Sequence, residues 1–109
     1  MREALNQAKA RFEDLTRQLE DPAIHSNPGE MKRISKERSG LEPLVRTARR
    51  YDDVLFRLEE DRAFLRTEKD PELSALAKAE IEELDAERQA LEAELPRLLL
   101  PPDPWTKRT

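Results

Sequence analysis

The chain has 109 residues and a formal net charge of −4, with 40% charged, 37% hydrophobic and 5% aromatic residues. That length allows one domain at most, and the balance is too polar for a thick globular core but suits long helices that meet along narrow seams. Without cysteine, disulfides and thiolate metal sites are excluded. No apolar run approaches the roughly 20 residues needed to cross a bilayer. The amino-terminal MREALNQAKARFEDL lacks the apolar block of a signal peptide. A soluble, cytoplasmic protein with no membrane contact is expected, and the 2 Gly residues argue against many short, turn-linked strands.

The first predicted helix covers residues 2–20. Leu5, Ala8, Phe12, Leu15 and Leu19 repeat at 3-4-3-4 spacing, which places them on one face of a helix. Asp21-Pro22 ends it, because the residue before a proline is pushed out of the helical region. Residues 21–28 read as a connection. His25 lies in it without a second ligand or a visible catalytic partner, so it reads as structural. Asn27-Pro28-Gly29-Glu30 then has the form of a helix start, with Asn27 as N-cap, Pro28 at the first position and Glu30 reaching back as in a capping box.

The longest predicted helix covers residues 28–68. Met31, Ile34, Leu41, Val45, Ala48, Leu55, Leu58 and Leu65 keep a heptad step, with Arg38, Asp52 and Arg62 where apolar side chains are expected. Tyr51, Val54 and Phe56 widen the stripe. About 40 residues would span on the order of 60 Å. Gly40 and Pro43 predict a kink, or a division into two helices, around residues 40–43.

Thr67-Glu68-Lys69-Asp70 is a short turn, and short turns place helices antiparallel. The last helix starts at Asp70-Pro71 and carries Ala77, Ile81, Leu84, Leu91, Leu95 and Leu98, interrupted only by Arg88. Arg88 is expected to pair with an acid from a facing helix or to snorkel along it. Pro96 predicts that the helix does not extend far past Arg97. A helix with so narrow a seam needs partners. The fold expected is all-α: a three-helix, coiled-coil-like bundle, with a long kinked second helix paired to the third in an antiparallel hairpin. The first helix packs against one end of that hairpin. Residues 1–100 form the domain, and residues 101–109, PPDPWTKRT, an extended linker.

Charge is uneven along the chain. Glu30 to Arg50 holds 7 basic and 3 acidic residues, and Glu68 to Glu94 holds 3 basic and 10 acidic. Helices so charged complement each other, or the basic stretch meets an acidic partner. Lys32, Arg33, Lys36, Arg46, Arg49 and Arg50 are the candidate contact residues. No aromatic side chains interleave Lys32–Arg38 to stack on bases. Glu82, Glu83, Asp85 and Glu87 read as a solvated face. No nucleophile with a base, glycine-rich phosphate loop or His/Cys cluster occurs, so no catalytic, cofactor or metal residue is assigned, no small-molecule substrate is implied, and the segment is not read as an enzyme.

The punctuation of the chain resembles one family. Asp21-Pro22, Asn27-Pro28-Gly29-Glu30, Ile34-Ser35-Lys36-Glu37, Leu41-Glu42-Pro43-Leu44-Val45 and Asp70-Pro71-Glu72-Leu73 with Leu76-Ala77 look like the N-terminal domain of bacterial class I peptide chain release factors. Leu98-Leu99-Leu100-Pro101-Pro102-Asp103-Pro104 resembles the joint into the next domain of the UAA- and UAG-reading branch. The resemblance implies a helical accessory domain in translation termination, reaching the factor-binding region of the large ribosomal subunit near the stalk base and working with the release-factor GTPase. It implies that the Gly-Gly-Gln loop and the Pro-x-Thr codon-reading segment, neither present here, lie downstream, and that the sequence is an excised first domain or a natural truncation. The alternative from a different class is a free-standing adaptor coiled coil that self-associates. Arg38, Asp52, Arg62 and Arg88 would weaken such an extended self-dimer but are tolerable in a hairpin.

Overall fold

A computed structural model describes residues 1–100. They form four helices: α1 (Arg2–Leu19), α2 (Pro22–His25), α3 (Pro28–Thr67) and α4 (Pro71–Leu99). No strand occurs among the described residues, and the all-α expectation holds. The expected linker, residues 101–109, lies outside them. The contacts divide the described residues into two units, one built from 1–46 together with 96–100, the other from Thr47–Leu95.

In the first unit, Leu5, Phe12 and Leu15 of α1 and Ile34, Leu44 and Val45 of α3 are buried. The 3-4-3 step of α1 therefore delivers its apolar face as expected. The connection after α1 is where the structure adds an element. Asp21 accepts a hydrogen bond from the Ala23 N–H at 2.9 Å and Pro22 takes the first helical position, so Asp21-Pro22 stops one helix and starts the short α2. Among the described residues α2 is thus an element additional to the three helices expected. His25 closes the exit of α1: its Nε2 donates to the Leu19 carbonyl, one of the acceptors that a helix end leaves without an internal donor.

Asn27 caps α3 by accepting the Glu30 N–H at 3.3 Å. The reciprocal half of the capping box is absent, because the Asn27 N–H donates to the Ile24 carbonyl and the Glu30 carboxylate binds Arg33 instead. α3 is continuous through Gly40 and Pro43, so the long element is one helix. Pro43 deprives the Ser39 carbonyl of its helical donor; Ser39, Gly40, Glu42 and Pro43 are all exposed, and water is at hand for that acceptor. Arg38, an interruption of the seam in sequence, is half-buried and satisfied. Its guanidinium lies 4.4 Å from the centre of the Phe12 ring, and its Nε donates to Thr16 Oγ1 at 2.8 Å, a cation–π contact joined to a hydrogen bond.

In the second unit, Val54 and Leu58 of α3 pack with Leu84 and Leu91 of α4, flanked by Tyr51 and Ile81. The pairings Arg50–Glu87 and Asp61–Glu80 run in opposite directions along the two helices, so the hairpin is antiparallel. Its turn is residues 68–70, and Asp70 caps α4 by accepting the Glu72 N–H at 2.9 Å.

The seam of α3 slips in this unit. After Ala48 the inward positions are Tyr51, Val54, Leu58, Asp61 and Leu65, while Asp52 and Arg62 are exposed and Phe56 is 60% exposed. One step of three residues stands where the heptad pattern calls for four, which rotates the stripe around the helix as a local stammer does. Asp52 and Arg62 therefore do not interrupt the core. Past Pro96 α4 runs only to Leu99, close to the end expected, and the Leu100 N–H closes on the Arg97 carbonyl at 3.4 Å.

Leu58→Ala is expected to lower stability by about 2–5 kcal/mol through a cavity in this core, whereas Phe56→Ala stays within about 0.5 kcal/mol; urea unfolding measures both. A Cβ at Gly40 would meet nothing within 4 Å, and its φ is not positive. Gly40→Ala should accordingly raise stability by about 0.5–1 kcal/mol. A loss on that substitution would mean that the helix needs glycine's freedom there.

Candidate interaction surface

The six cations singled out in sequence have different surroundings. Lys32 and Lys36, one turn apart on α3, are exposed and hold no ion pair among the described residues. Arg33 is held by Glu30 at 2.8 Å, a pairing that raises the guanidinium pKa and lowers that of the carboxylate. Arg46 meets Glu42 at 3.6 Å with most of its surface in water. Arg49 is exposed. Arg50 is committed: Nε and Nη2 donate to the two oxygens of Glu87 at 2.5 and 2.7 Å, and Nη1 to Asp53 at 3.0 Å. Lys32 and Lys36 are thus the cations with free valence, and Arg50 is a clamp between α3 and α4.

That clamp realises the charge complementarity expected of the two helices. A forked guanidinium–carboxylate bond holds the Glu87 carboxyl below its ordinary value, chiefly through the hydrogen bond from Arg50. The expected solvated face of α4 is therefore only partly solvated. Glu82 and Glu83 are exposed, but Glu87 binds Arg50 and Asp85 accepts from Arg88 at 2.8 Å and Gln89 at 3.1 Å.

Arg88 sits in the α4 seam and takes both its partners from its own helix, Asp85 and Glu92, the latter at 2.9 Å. The link across the hairpin comes from Tyr51, whose hydroxyl donates to Glu92 at 2.7 Å. Tyr51 first, and then Arg88, hold the Glu92 carboxyl below its ordinary value. Tyr51 was legible in sequence as a residue that widens the stripe, but the Glu92 partner of its hydroxyl was not, since spacing along one helix does not give the register of the facing one.

In the first unit Arg11 forks onto Glu37 at 2.5 and 2.8 Å, which lowers the Glu37 pKa. Among the described residues no group of His, Cys, Asp and Glu is arranged to hold a metal ion, and no helix is long and apolar enough to cross a membrane. The groups present can bind and orient a partner.

The family model of the PCRF domain matches residues 8–109. The chain belongs to the PCRF domain family. It is 44% identical over 100 residues to "Peptide chain release factor 1" of Sorangium cellulosum, covering 92% of this chain and 27% of that protein. It is 39% identical over 104 residues to the proteins of that name in Geobacter sulfurreducens and Clostridium botulinum, covering 95% of this chain and 28% and 29% of theirs. The chain therefore spans little more than a quarter of the length of these relatives. No solved structure matches it.

The lowered carboxyls set the sign of the acid response. Glu37, Asp85, Glu87 and Glu92 have folded-state values below their ordinary ones. Their contribution is present above the unfolded pKa and is lost as pH falls through the folded values, so melting temperature should drop below about pH 4.5. Tyr51→Phe should move the Glu92 titration upward, read by carboxyl ¹³C shifts, and leave that of Glu37 in place. An unmoved Glu92 would mean that the phenol is not its main partner.

Proposed function

We propose that the chain is the accessory helical domain of a stop-codon-dependent peptide chain release factor and acts in translation termination in the cytoplasm. The observation that carries this reading is the family match over residues 8–109, supported by relatives named for peptide chain release at 39–44% identity. Residues 1–100 are the domain, and residues 101–109 lead toward a downstream domain. Ester hydrolysis and codon reading belong to the remainder of the full-length factor; this segment contributes contact and orientation. Its partners are the ribosome, in the stalk-base region of the large subunit, and the release-factor GTPase.

A two-helix hairpin suits that work physically. Its fixed points are a small apolar core and a clamp between charged helices, and both keep its outward side chains in register. The contact residues proposed are Lys32, Arg33, Lys36, Arg46, Arg49 and Arg50. Within that set Lys32 and Lys36 lead, since neither must first leave an acidic partner. The competing reading, a self-associating adaptor, gains nothing from the second unit: the seam it would use is spent on contacts between α3 and α4 of one chain.

The test is a graft. The corresponding segment of the Geobacter sulfurreducens relative is replaced by residues 1–109, and codon-dependent peptide release is followed on purified ribosomes. Release within a few-fold of the parent is expected; a folded but inactive chimera would overturn the reading. In the same chimera Lys32→Gln with Lys36→Gln should weaken ribosome binding and reduce the slope of log affinity against log salt by up to about 2. An unchanged slope would remove both lysines from the contact.

A further inference from the structure

Near the turn of the second unit a groove of about 250 Å³ runs between α3 and α4, lined by Asp61, Phe64, Leu73, Leu76, Ala77 and Glu80. Its walls hold the apolar side chains that the fold leaves outside: Leu76 is 68% exposed, Leu73 43% and Phe64 39%. Isolated exposed leucines mean little, but a contiguous set beside charged groups marks an interaction surface. The groove's polar groups are two acids from facing helices. Asp61 Oδ2 is shut off from solvent and accepts no hydrogen bond, an unusual state for a buried oxygen. The Glu80 carboxyl faces it: a hydrogen bond that only a protonated Glu80 can give to Asp61, and then the Asp61 charge, raise the Glu80 pKa, with a smaller contribution from Glu83 and against the opposing pull of Arg57.

Arg57, the cation among the described residues whose charge acts on Glu80, is already engaged. Arg57 Nε binds Asp53 at 3.2 Å, and Asp53 is shared with Arg50. Elsewhere in this hairpin the same problem is solved by a guanidinium: Glu87 has the fork of Arg50, and Glu92 has Arg88 with the Tyr51 hydroxyl. Asp61 and Glu80 are the facing acids left without one. The groove thus suits a definite chemistry: a donor that can bond two carboxylates at once, entering between apolar walls.

We propose that this groove is a docking site for a partner protein segment that presents one arginine between apolar side chains, its guanidinium bridging Asp61 and Glu80 while its apolar neighbours cover Phe64, Leu73 and Leu76. Arginine fits better than lysine because its planar fork carries several donors in fixed directions, whereas an ammonium acts as a point charge. The apolar flanks supply contact area, and the acid pair supplies the specificity. The inference does not depend on the role in translation termination; it rests on the groove alone.

The probe is a synthetic amphipathic helix with a single Arg, a Leu one turn to either side, and otherwise Ala and Gln. It is titrated into the ¹⁵N-labelled chain and compared with the same peptide carrying Gln for Arg. Amide shifts confined to residues 61–80 are expected, with affinity for the Arg peptide at least about tenfold above that for the Gln peptide. Asp61→Asn with Glu80→Gln should abolish that preference, while Glu82→Gln with Glu94→Gln, the same change of net charge at exposed positions, should preserve it. Leu76→Ser, at a position exposed in the free chain, should weaken both peptides alike and so tests the apolar wall even where the double carboxyl variant unfolds. Three results would each overturn the proposal: equal binding of the two peptides, equal loss in the Glu82/Glu94 variant, or groove shifts that grow with protein concentration alone. The last would assign the groove to a second copy of the chain.

Discussion

A chain with 40% charged residues has little apolar surface to spend, and in the second unit the hairpin closes on a small cluster, Val54, Leu58, Leu84 and Leu91, with Ala48, Ala77 and Leu95 also buried. At about 25 cal/mol per Å² of apolar area buried, so small a cluster cannot by itself offset the entropy of ordering two long helices. Two features reduce that deficit. The helices are good formers with capped ends, Asn27 and Asp70 supplying the acceptors. The hairpin turn is also very short, so that closing it costs little loop entropy. The core then needs only to select the pairing, and the charged flanks fix its register through Arg50–Glu87 and Tyr51–Glu92.

Register is where a narrow seam is most exposed to error, and the slip after Ala48 shows how it is managed. Had α3 continued on the strict heptad step, Asp52 and Arg62 would have faced α4. Rotating the stripe brings Val54 to full burial and turns both charges outward. Two polar residues enter the inward stripe in exchange, Tyr51 and Asp61. The phenol costs little, because its ring packs against the apolar cluster while its hydroxyl reaches Glu92.

Helix existence and pairing were legible in sequence because they follow from spacing and punctuation that act locally. The 3-4 step of α1, the Asn27-Pro28 and Asp70-Pro71 starts and the short turn at residues 68–70 each carry their own physical reason. What was not legible depends on tertiary contact. Gly40 and Pro43 left open whether the long element is one helix or two, because a proline removes one helical donor and whether a helix survives that depends on what else holds it. Asp21-Pro22 read only as an end, since a four-residue helix leaves no periodicity to detect. The basic stretch of α3 was visible as composition, but composition cannot tell Arg50, spent on Glu87, from Lys32 and Lys36, which hold no ion pair among the described residues.

The same distinction separates the two α4 acids that face the polar side chains turned inward by the slip, Tyr51 and Asp61. Glu92 receives a hydroxyl and a guanidinium, and its pKa falls; Glu80 faces another carboxylate, and its pKa rises. The two therefore pull the stability of one hairpin in opposite directions. The contribution of Glu92 is lost as pH falls through its lowered value, whereas that of Glu80 is fully present below its unfolded pKa and is lost as pH rises through its raised one. Near neutral pH the region around Glu92 is at its firmest and the Asp61–Glu80 end carries a repulsion that Arg57 only partly offsets. A hairpin optimised only for its own stability would place an arginine or a neutral amide at one of those positions. Leaving two acids facing each other beside exposed leucines is a cost that a bound guanidinium would remove.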